Sequence, residues 1–180
     1  MKPTRREFLQ NSVLAAAGLY AGVANTDAAP APEDTHWKRK SLLFDDSDVS
    51  RILKTVQHPR FGTHWKSMRE ADLKADLKFL KDELRLNNHS KDMLRARLIL
   101  ERSSFVYKLT KDKQHLDIAR VAIDKILEYK RWDYFLEAGE HTIALQRASE
   151  ASIAMSYARE WLDNELSAAT KEEMEKQIGE

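Results

Sequence analysis

The sequence contains no cysteine, and it has only 5 glycines and 4 prolines among 180 residues. Without cysteine, the chain cannot form a disulfide framework, a thiolate-bound zinc site or a cysteine nucleophile. So few glycines and prolines argue against a loop-rich all-β protein. The 30 basic and 29 acidic side chains leave a formal net charge of +1. The overall charge therefore gives no reason to predict binding to nucleic acid or to an anionic membrane.

Familiar catalytic and metal-binding motifs are also absent from the sequence. There is no Gly-x-Ser-x-Gly, phosphate-binding loop or dinucleotide fingerprint, and no two of the six histidines are three or four residues apart. We therefore predict no metal and no cofactor, and no residue is assigned a catalytic role. Hydrophobic residues make up 42% of the sequence, which is enough for the packed core of one domain.

The N-terminal segment carries an export pattern. Residues Thr4–Gln10 match the twin-arginine motif Ser/Thr-Arg-Arg-x-Phe-Leu-Lys, with glutamine in the last place. A mildly apolar run, Ser12–Ala24, follows, and it is shorter than the roughly 20 apolar residues of a membrane-spanning helix. Small residues then offer cleavage positions after Ala24 or Ala28.

These features predict a twin-arginine (Tat) signal peptide and a disordered linker over residues 1–31, followed by a folded part over residues 32–180. Such a signal implies a bacterial protein that is exported already folded, so we expect it in the periplasm or secreted. The alternative for the first segment is an ordinary amphipathic N-terminal helix.

Apolar residues recur at helical spacing through the rest of the chain, and no segment shows the period of a strand. The predicted helices are residues 46–57, 63–86, 90–109, 115–129, 140–162 and 168–178. Short connections predict antiparallel helical hairpins, with a loop rich in aromatic residues at 130–139. The fifth helix is rich in alanine and serine, which fits a crowded inner position. We therefore predict an all-α fold of hairpins that form part of an incomplete (α/α) toroid or an open solenoid.

Two parts of the sequence resemble a known family. The segments Leu42–Val49 and His58–Phe61 resemble the opening of exported polysaccharide lyases of the heparinase II/III and alginate-lyase type. The segments Phe135–Thr142, Met155–Leu162 and Leu166-Ser167 are similar to their helix that reads roughly Ala-Glu-x-Thr, Ala-Tyr-Asp-Trp-Leu and Leu-Ser. The resemblance covers most of residues 42–178, through diffuse helical patterns. It departs at Ala158-Arg159-Glu160, where Tyr-Asp is common in the family.

The resemblance implies the N-terminal part of a larger enzyme, in which an (α/α) toroid packs on β-sandwich modules. Such enzymes cleave uronate-containing polysaccharides by β-elimination, which needs a carboxylate neutraliser, a base and an acid. The family places these groups in later helices and in the sandwich, so the chain is expected to be inactive alone. Its implied partners are an acidic polysaccharide and the missing C-terminal portions of the parent. A β-sheet within residues 45–178 would count against both the fold and the resemblance.

Four residues are candidates for substrate binding. Trp132 and Tyr134 could stack on a sugar ring, or they could seal their loop onto the core. Gln146 and Arg147 could face the cleft, where the Arg147 guanidinium would bind a uronate carboxylate. Arg147 could equally pair with Glu150 three residues on, without any ligand.

Other interpretations remain open at this point. The adjacent Glu140 and His141 suggest acid–base chemistry, but a carboxylate at a helix start is the simpler interpretation. The helical pair at residues 94–129 is also typical of a periplasmic helical-repeat binding module. A third alternative is an (α/α) toroid glycoside hydrolase, which needs two carboxylates across a cleft.

Replacing both Arg5 and Arg6 with lysine is expected to abolish export, because the paired arginines are the feature that the export route reads. Cell fractionation and immunoblotting measure the exported fraction, and replacement of Lys2, which lies outside the motif, is the control. Export of the double variant at the wild-type level through the twin-arginine route would contradict the prediction.

Overall fold

The structure is a computed structural model that describes residues 41–87, 89–137 and 139–179. The predicted signal peptide and linker, residues 1–31, lie outside the described residues. Within the described ranges, the chain forms seven α-helices and one pair of β-strands. The elements are α1 Val49–Val56, α2 Pro59–Arg69, α3 Leu73–Lys78, α4 Ser90–Thr110, α5 Lys113–Leu127, β1 Tyr134–Glu137, β2 Glu140–Ile143, α6 Leu145–Trp161 and α7 Ala168–Gly179.

The all-α fold predicted from the sequence is confirmed. Four predicted helices agree with α1, α4, α5 and α7 to within a few residues: 46–57, 90–109, 115–129 and 168–178. The connection between α4 and α5 consists of Lys111 and Asp112 alone. Lys111 has a φ of 59°, and the Asp112 carboxylate accepts a hydrogen bond from the Gln114 N–H at 2.9 Å. This side-chain cap starts α5 and closes the predicted helical hairpin.

The predicted single helix over residues 63–86 is wrong, because two helices, α2 and α3, occupy this region. α2 begins at Pro59, where the sequence-based prediction ends a helix, because proline is favourable at the first helical position. The Asp72 carboxylate accepts hydrogen bonds from the N–H groups of Lys74 and Ala75 at 3.1 and 3.0 Å. Such a cap begins a new helix and separates α3 from α2. A π-helical turn then extends α3.

The second difference lies in residues 130–144. The sequence predicts a loop up to Gly139 and a helix from residue 140, whereas the structure has the antiparallel strands β1 and β2, with Tyr134 opposite Ile143. Gly139 in the connection has a φ of +89°, a conformation that favours glycine in tight hairpin turns. The prediction of no strand is wrong here, because a strand of only four residues is too short to show a period of two.

This hairpin is a β-sheet within residues 45–178 and so counts against the family resemblance, whereas the all-α class holds because the sheet has only two short strands. It forms a connection between α5 and α6, and its ends are joined by a hydrogen bond from the Ala144 N–H to the Asp133 carbonyl at 2.7 Å. Phe135 of β1 is fully buried on the inner side of the hairpin, and its ring lies against the Tyr129 ring. In the described ranges this is the one sheet, so the architecture remains all-α.

Side-chain contacts show that α4 and α6 run in the same direction. Arg97 on α4 pairs with Glu150 on α6 at 3.5 Å. Farther along both helices, the rings of Phe105 and Trp161 lie 5.7 Å apart. Because both residue numbers rise together, the two helices are parallel.

The same relation holds for α5 and α7. The Arg120 guanidinium donates to the carbonyl of Glu165, just before α7, at 2.6 Å. The Gln177 amide on α7 donates to the carbonyl of Leu127, at the end of α5, at 3.0 Å. These helices are therefore parallel to one another. Because α4 and α5 form a helical hairpin, both α5 and α7 are antiparallel to α4.

α3 is antiparallel to α4 as well. Its Asp76 pairs with Arg102, and Phe79, where the π-helical turn begins, lies under the Arg95 guanidinium, 4.0 Å from ring centroid to Cζ. α4 packs on α6, and α5 packs on both α3 and α7, so the helices from α3 to α7 alternate between two layers, one with α4 and α6 and the other with α3, α5 and α7. This alternation is the arrangement of α/α arrays.

The small side chains of α6 occupy the inner position predicted for them. Ala151, Ala154 and Ala158 are fully buried, and Ala96 of α4 is also 0% exposed. Small residues on both helices allow their backbones to approach closely. All four alanines belong to the main core of the molecule.

Replacing Ala154 with leucine is expected to lower the free energy of unfolding by about 1–3 kcal/mol, because the close contact leaves no room for three more carbon atoms. Ser149 lies on the exposed side of the same helix, so Ser149→Leu should change stability by about 0.5 kcal/mol or less. Urea denaturation followed by circular dichroism measures both values. Equal effects of the two substitutions would contradict the inner position of α6.

Candidate functional site

The candidate site lies at the end of the molecule where α4 and α6 begin, and Asn87 ties the hairpin to this end. The Asn87 Nδ2 donates to the carbonyls of Arg131 and Tyr134 at 2.9 and 3.0 Å. Its Oδ1 accepts from the Lys130 N–H at 3.3 Å, and its own carbonyl accepts from the Leu136 N–H at 2.6 Å. One residue therefore fixes the segment that leads into β1.

Glu137, the last residue of β1, caps the N-terminus of α4. Its Oε1 accepts a hydrogen bond from the Ser90 N–H at 2.6 Å, and its Oε2 lies 3.2 Å from the His89 Nδ1. The hydrogen bonds from Ser90 lower the pKa of Glu137, and His89 adds a smaller effect in the same direction. A carboxylate at this place also meets the positive end of the helix dipole. The hairpin and α4 are thus held together by a charged group.

The outer face of the hairpin carries an aromatic pair. The rings of Tyr134 and His141 are stacked, with centroids 4.9 Å apart and an angle of 22° between their planes. The Arg131 guanidinium lies 5.3 Å from the Tyr134 ring centroid, and Asp133 binds it through two hydrogen bonds of 3.0 Å. Ile143 on the same side is 68% exposed. The hairpin therefore presents an aromatic and apolar surface with a cation beside it.

Trp132 does not belong to this exposed surface. It is 7% exposed and is part of the main core, and its indole N–H donates to the Ile126 carbonyl at 3.1 Å. The geometry favours the second interpretation of this residue, in which it seals the loop onto the core.

The other two candidates belong to a polar network between α4 and α6. Arg147 pairs with Glu150, as the intrahelical interpretation expects, and the Gln146 amide donates to the same carboxylate at 2.9 Å. Arg97 reaches Glu150 at 3.5 Å and binds Glu101 at 2.9 Å. Two guanidinium groups thus face two carboxylates. No hydrogen bond, ion pair or ring contact among the described residues joins this network to Tyr134.

The network keeps Glu150 ionised. Burial alone would raise its pKa, but the hydrogen bond from Arg147 and the positive charge of Arg97 outweigh burial, so the pKa lies below its usual value. Arg147 uses one Nη for Glu150, and its side chain is 19% exposed. A guanidinium has five N–H donors, so donors remain with which Arg147 could bind an added carboxylate.

Glu140 and His141 are not at a helix start, which corrects the simpler interpretation of these residues. Both lie in β2, where adjacent side chains point to opposite sides of the sheet. The structure therefore does not combine them as an acid–base pair. In the part of the chain that the structure describes, no group of three histidine or acidic side chains is placed to hold a metal ion.

Three residues of this region were not predicted from the sequence. Asn87 lies in the connection between the predicted helices 63–86 and 90–109, but its partners lie more than forty residues away in sequence. Glu137 caps the N-terminus of α4 through Ser90, although the whole of α4 and α5 lies between these two residues in the sequence. Arg97 meets Glu150, the partner of Arg147, only through the contact of α4 with α6. No local pattern signals such long-range partners.

No family model matches the sequence, and no match is found among curated proteins. None of the described helices is both long and apolar enough to cross a lipid bilayer. The chemistry of the site is therefore derived from its own geometry.

Replacing Glu137 with glutamine is expected to flatten the acid limb of the stability profile. A carboxyl group whose folded pKa is lowered stabilises the fold above its unfolded pKa, and this contribution is lost as the pH falls through the folded pKa. The free energy of unfolding of the wild type should therefore fall more steeply below about pH 4.5 than that of the variant. Thermal unfolding at a series of pH values measures this.

Glu128→Gln is the matched control, because Glu128, at the C-terminal end of α5, pairs with Lys125 and has no hydrogen bond or ion pair with the hairpin among the described residues. Parallel profiles for Glu137→Gln and the wild type would show that Glu137 does not cap α4 through its charge.

Proposed function

We propose that this chain is the N-terminal portion of an exported bacterial polysaccharide lyase, which acts on uronate-containing polysaccharides of the alginate or heparin kind. The observation that carries the proposal is the two-layer order, in which α4 and α6 are parallel to one another and antiparallel to α3, α5 and α7. This order is the one expected for part of an (α/α) toroid. The hairpin counts against the resemblance, but it is a local addition between α5 and α6 and leaves the order of the helices unchanged. The twin-arginine pattern supports a periplasmic or secreted location.

The site would bind the polysaccharide through two kinds of contact. The stacked rings of Tyr134 and His141 offer an apolar surface on which the face of a pyranose can rest. The free donors of Arg147 can bind a uronate carboxylate, while Glu150 holds the guanidinium in place. Gln146 adds an amide at the exposed start of α6.

The described residues offer binding groups and no complete set for β-elimination. Loss of the C5 proton needs a base close to that carbon, and departure of the glycosidic oxygen needs an acid. The tyrosine nearest to a carboxylate, Tyr107, is buried, and burial together with Glu165 raises its pKa, which keeps the phenol protonated and so unable to accept a proton. We therefore place the acid and base of the proposed reaction outside this chain and expect no activity from the chain alone.

A periplasmic helical-repeat binding module is the second candidate, and the same alternation of layers favours it. An open solenoid and a closed toroid share this order of helices. The two candidates differ in ligand, because a binding module of this kind recognises peptides or proteins through its concave surface. Affinity for a uronate oligosaccharide is thus the deciding property.

Arg147→Ala is expected to weaken binding of an alginate or heparin oligosaccharide by roughly 1.5–3 kcal/mol, the range of a hydrogen bond to a charged group. Isothermal titration calorimetry at low salt measures the affinity. Arg159→Ala is the matched control, since Arg159 is a paired arginine near the other end of α6. Equal affinities of wild type and Arg147→Ala, with only a lower melting temperature, would leave Arg147 as the partner of Glu150. A wild type that binds neither oligosaccharide would overturn the proposed function.

A further inference from the structure

Asn87 has an unusual combination of backbone and side-chain roles. Its φ of 57° lies in the left-handed region, where asparagine is one of the few non-glycine residues that fit well. Its side chain makes three hydrogen bonds, all to backbone groups of the segment before and within β1. We propose that Asn87 is a positioning residue of the carbohydrate-binding surface, which sets the place of Tyr134 without touching the ligand. This inference rests on the proposed function.

The three side-chain hydrogen bonds of Asn87 form a clasp on this segment, and their chemistry requires a carboxamide. Two backbone carbonyls, those of Arg131 and Tyr134, need a donor, while the N–H of Lys130 needs an acceptor. Only asparagine has both kinds of group on a side chain of this length. Aspartate would place a carboxylate against the two carbonyls, and glycine would keep the backbone conformation but lose all three bonds.

The clasp acts directly on Tyr134, in addition to the core contacts of the nearby Trp132 and Phe135. Tyr134 is half-buried, and its neighbour Phe135 is the residue of β1 that enters the core. The backbone carbonyl of Tyr134 is itself one of the acceptors of Asn87. The ring of Tyr134 stands on His141 across the hairpin, so a displacement of β1 changes this stack. Asn87 therefore controls the surface that meets a sugar ring.

The side-chain polar atoms of Asn87 and its backbone carbonyl are engaged within the protein, so the role of this side chain is separate from ligand contact. The Nδ2, the Oδ1 and the backbone carbonyl each have partners within residues 130–136. Glu137 holds the far end of β1 on α4 independently, through Ser90. Loss of the clasp should therefore shift the beginning of β1 and leave the helices in place.

The test uses the full chain with Asn87→Gly and Asn87→Asp. The glycine variant keeps the left-handed conformation, and the aspartate variant keeps a side chain of the same shape. Lys111→Gly is the matched control, because Lys111 is the other described non-glycine residue with positive φ and lies at the opposite end of α4. Circular dichroism first establishes that each variant is helical at the temperature of measurement.

Two properties are then measured. Calorimetry gives the affinity for the alginate or heparin oligosaccharide that the wild type binds. Nuclear magnetic resonance gives the Cε1 proton shift of His141, which the ring current of Tyr134 moves from its ordinary value. We expect both Asn87 variants to bind about tenfold more weakly, the equivalent of one net hydrogen bond, and to lose the shift. Lys111→Gly should change neither property.

A purely structural role of Asn87 would lower the melting temperature alone. If either Asn87 variant is folded and keeps the affinity or the His141 shift of the wild type, the positioning role is overturned. If the glycine variant does not fold, the aspartate variant decides by the same two measurements. Failure of the wild type to bind a uronate oligosaccharide overturns the proposed function, and an unchanged His141 shift overturns the clasp, so the two failures are distinguishable.

Discussion

The close contact between α4 and α6 is the constraint on which the rest of this structure depends. The buried alanines Ala151, Ala154 and Ala158 of α6 allow this close approach, because larger side chains at these positions would separate the two helices. This contact sets α6 parallel to α4, and it thereby brings Glu150 to Arg97 and Trp161 to Phe105. The first pair organises the charges near the candidate site. The second belongs to a separate aromatic cluster near the other end of the helices.

The hairpin depends on this framework and is held to it at two polar points, in addition to the burial of Trp132 and Phe135 in the core. Asn87 fixes the entry to β1, and Glu137 fixes its end on the first turn of α4. The two points use different physics, since one is a set of neutral hydrogen bonds and the other a charge at a helix terminus. Salt and acid therefore weaken the second point without a direct effect on the first. The surface of Tyr134 and His141 lies between them in the register of the strands.

The sequence predicts the long helices of this protein better than it predicts the short elements and the long-range contacts. The long apolar stripes of α4 and α5 predict both helices well, because burial of one face repeats every three to four residues. The break at Asp72 and the strands at Tyr134 and Glu140 are missed, since a single cap and two four-residue strands leave no periodic signal. The pairing of Arg147 with Glu150 follows from local spacing. The partners of Asn87 and Glu137 do not, because they meet only after the helices have packed.

The closed base of the hairpin has a consequence for how such a surface could change. The N–H of Ala144 meets the carbonyl of Asp133, so the chain leaves and re-enters the helical framework at almost the same point. A segment with adjoining ends can be lengthened, shortened or exchanged at small entropic cost and without moving the elements on either side. The hairpin is thus a natural place for grafting or for evolutionary divergence, through which one helical scaffold could acquire different ligand preferences.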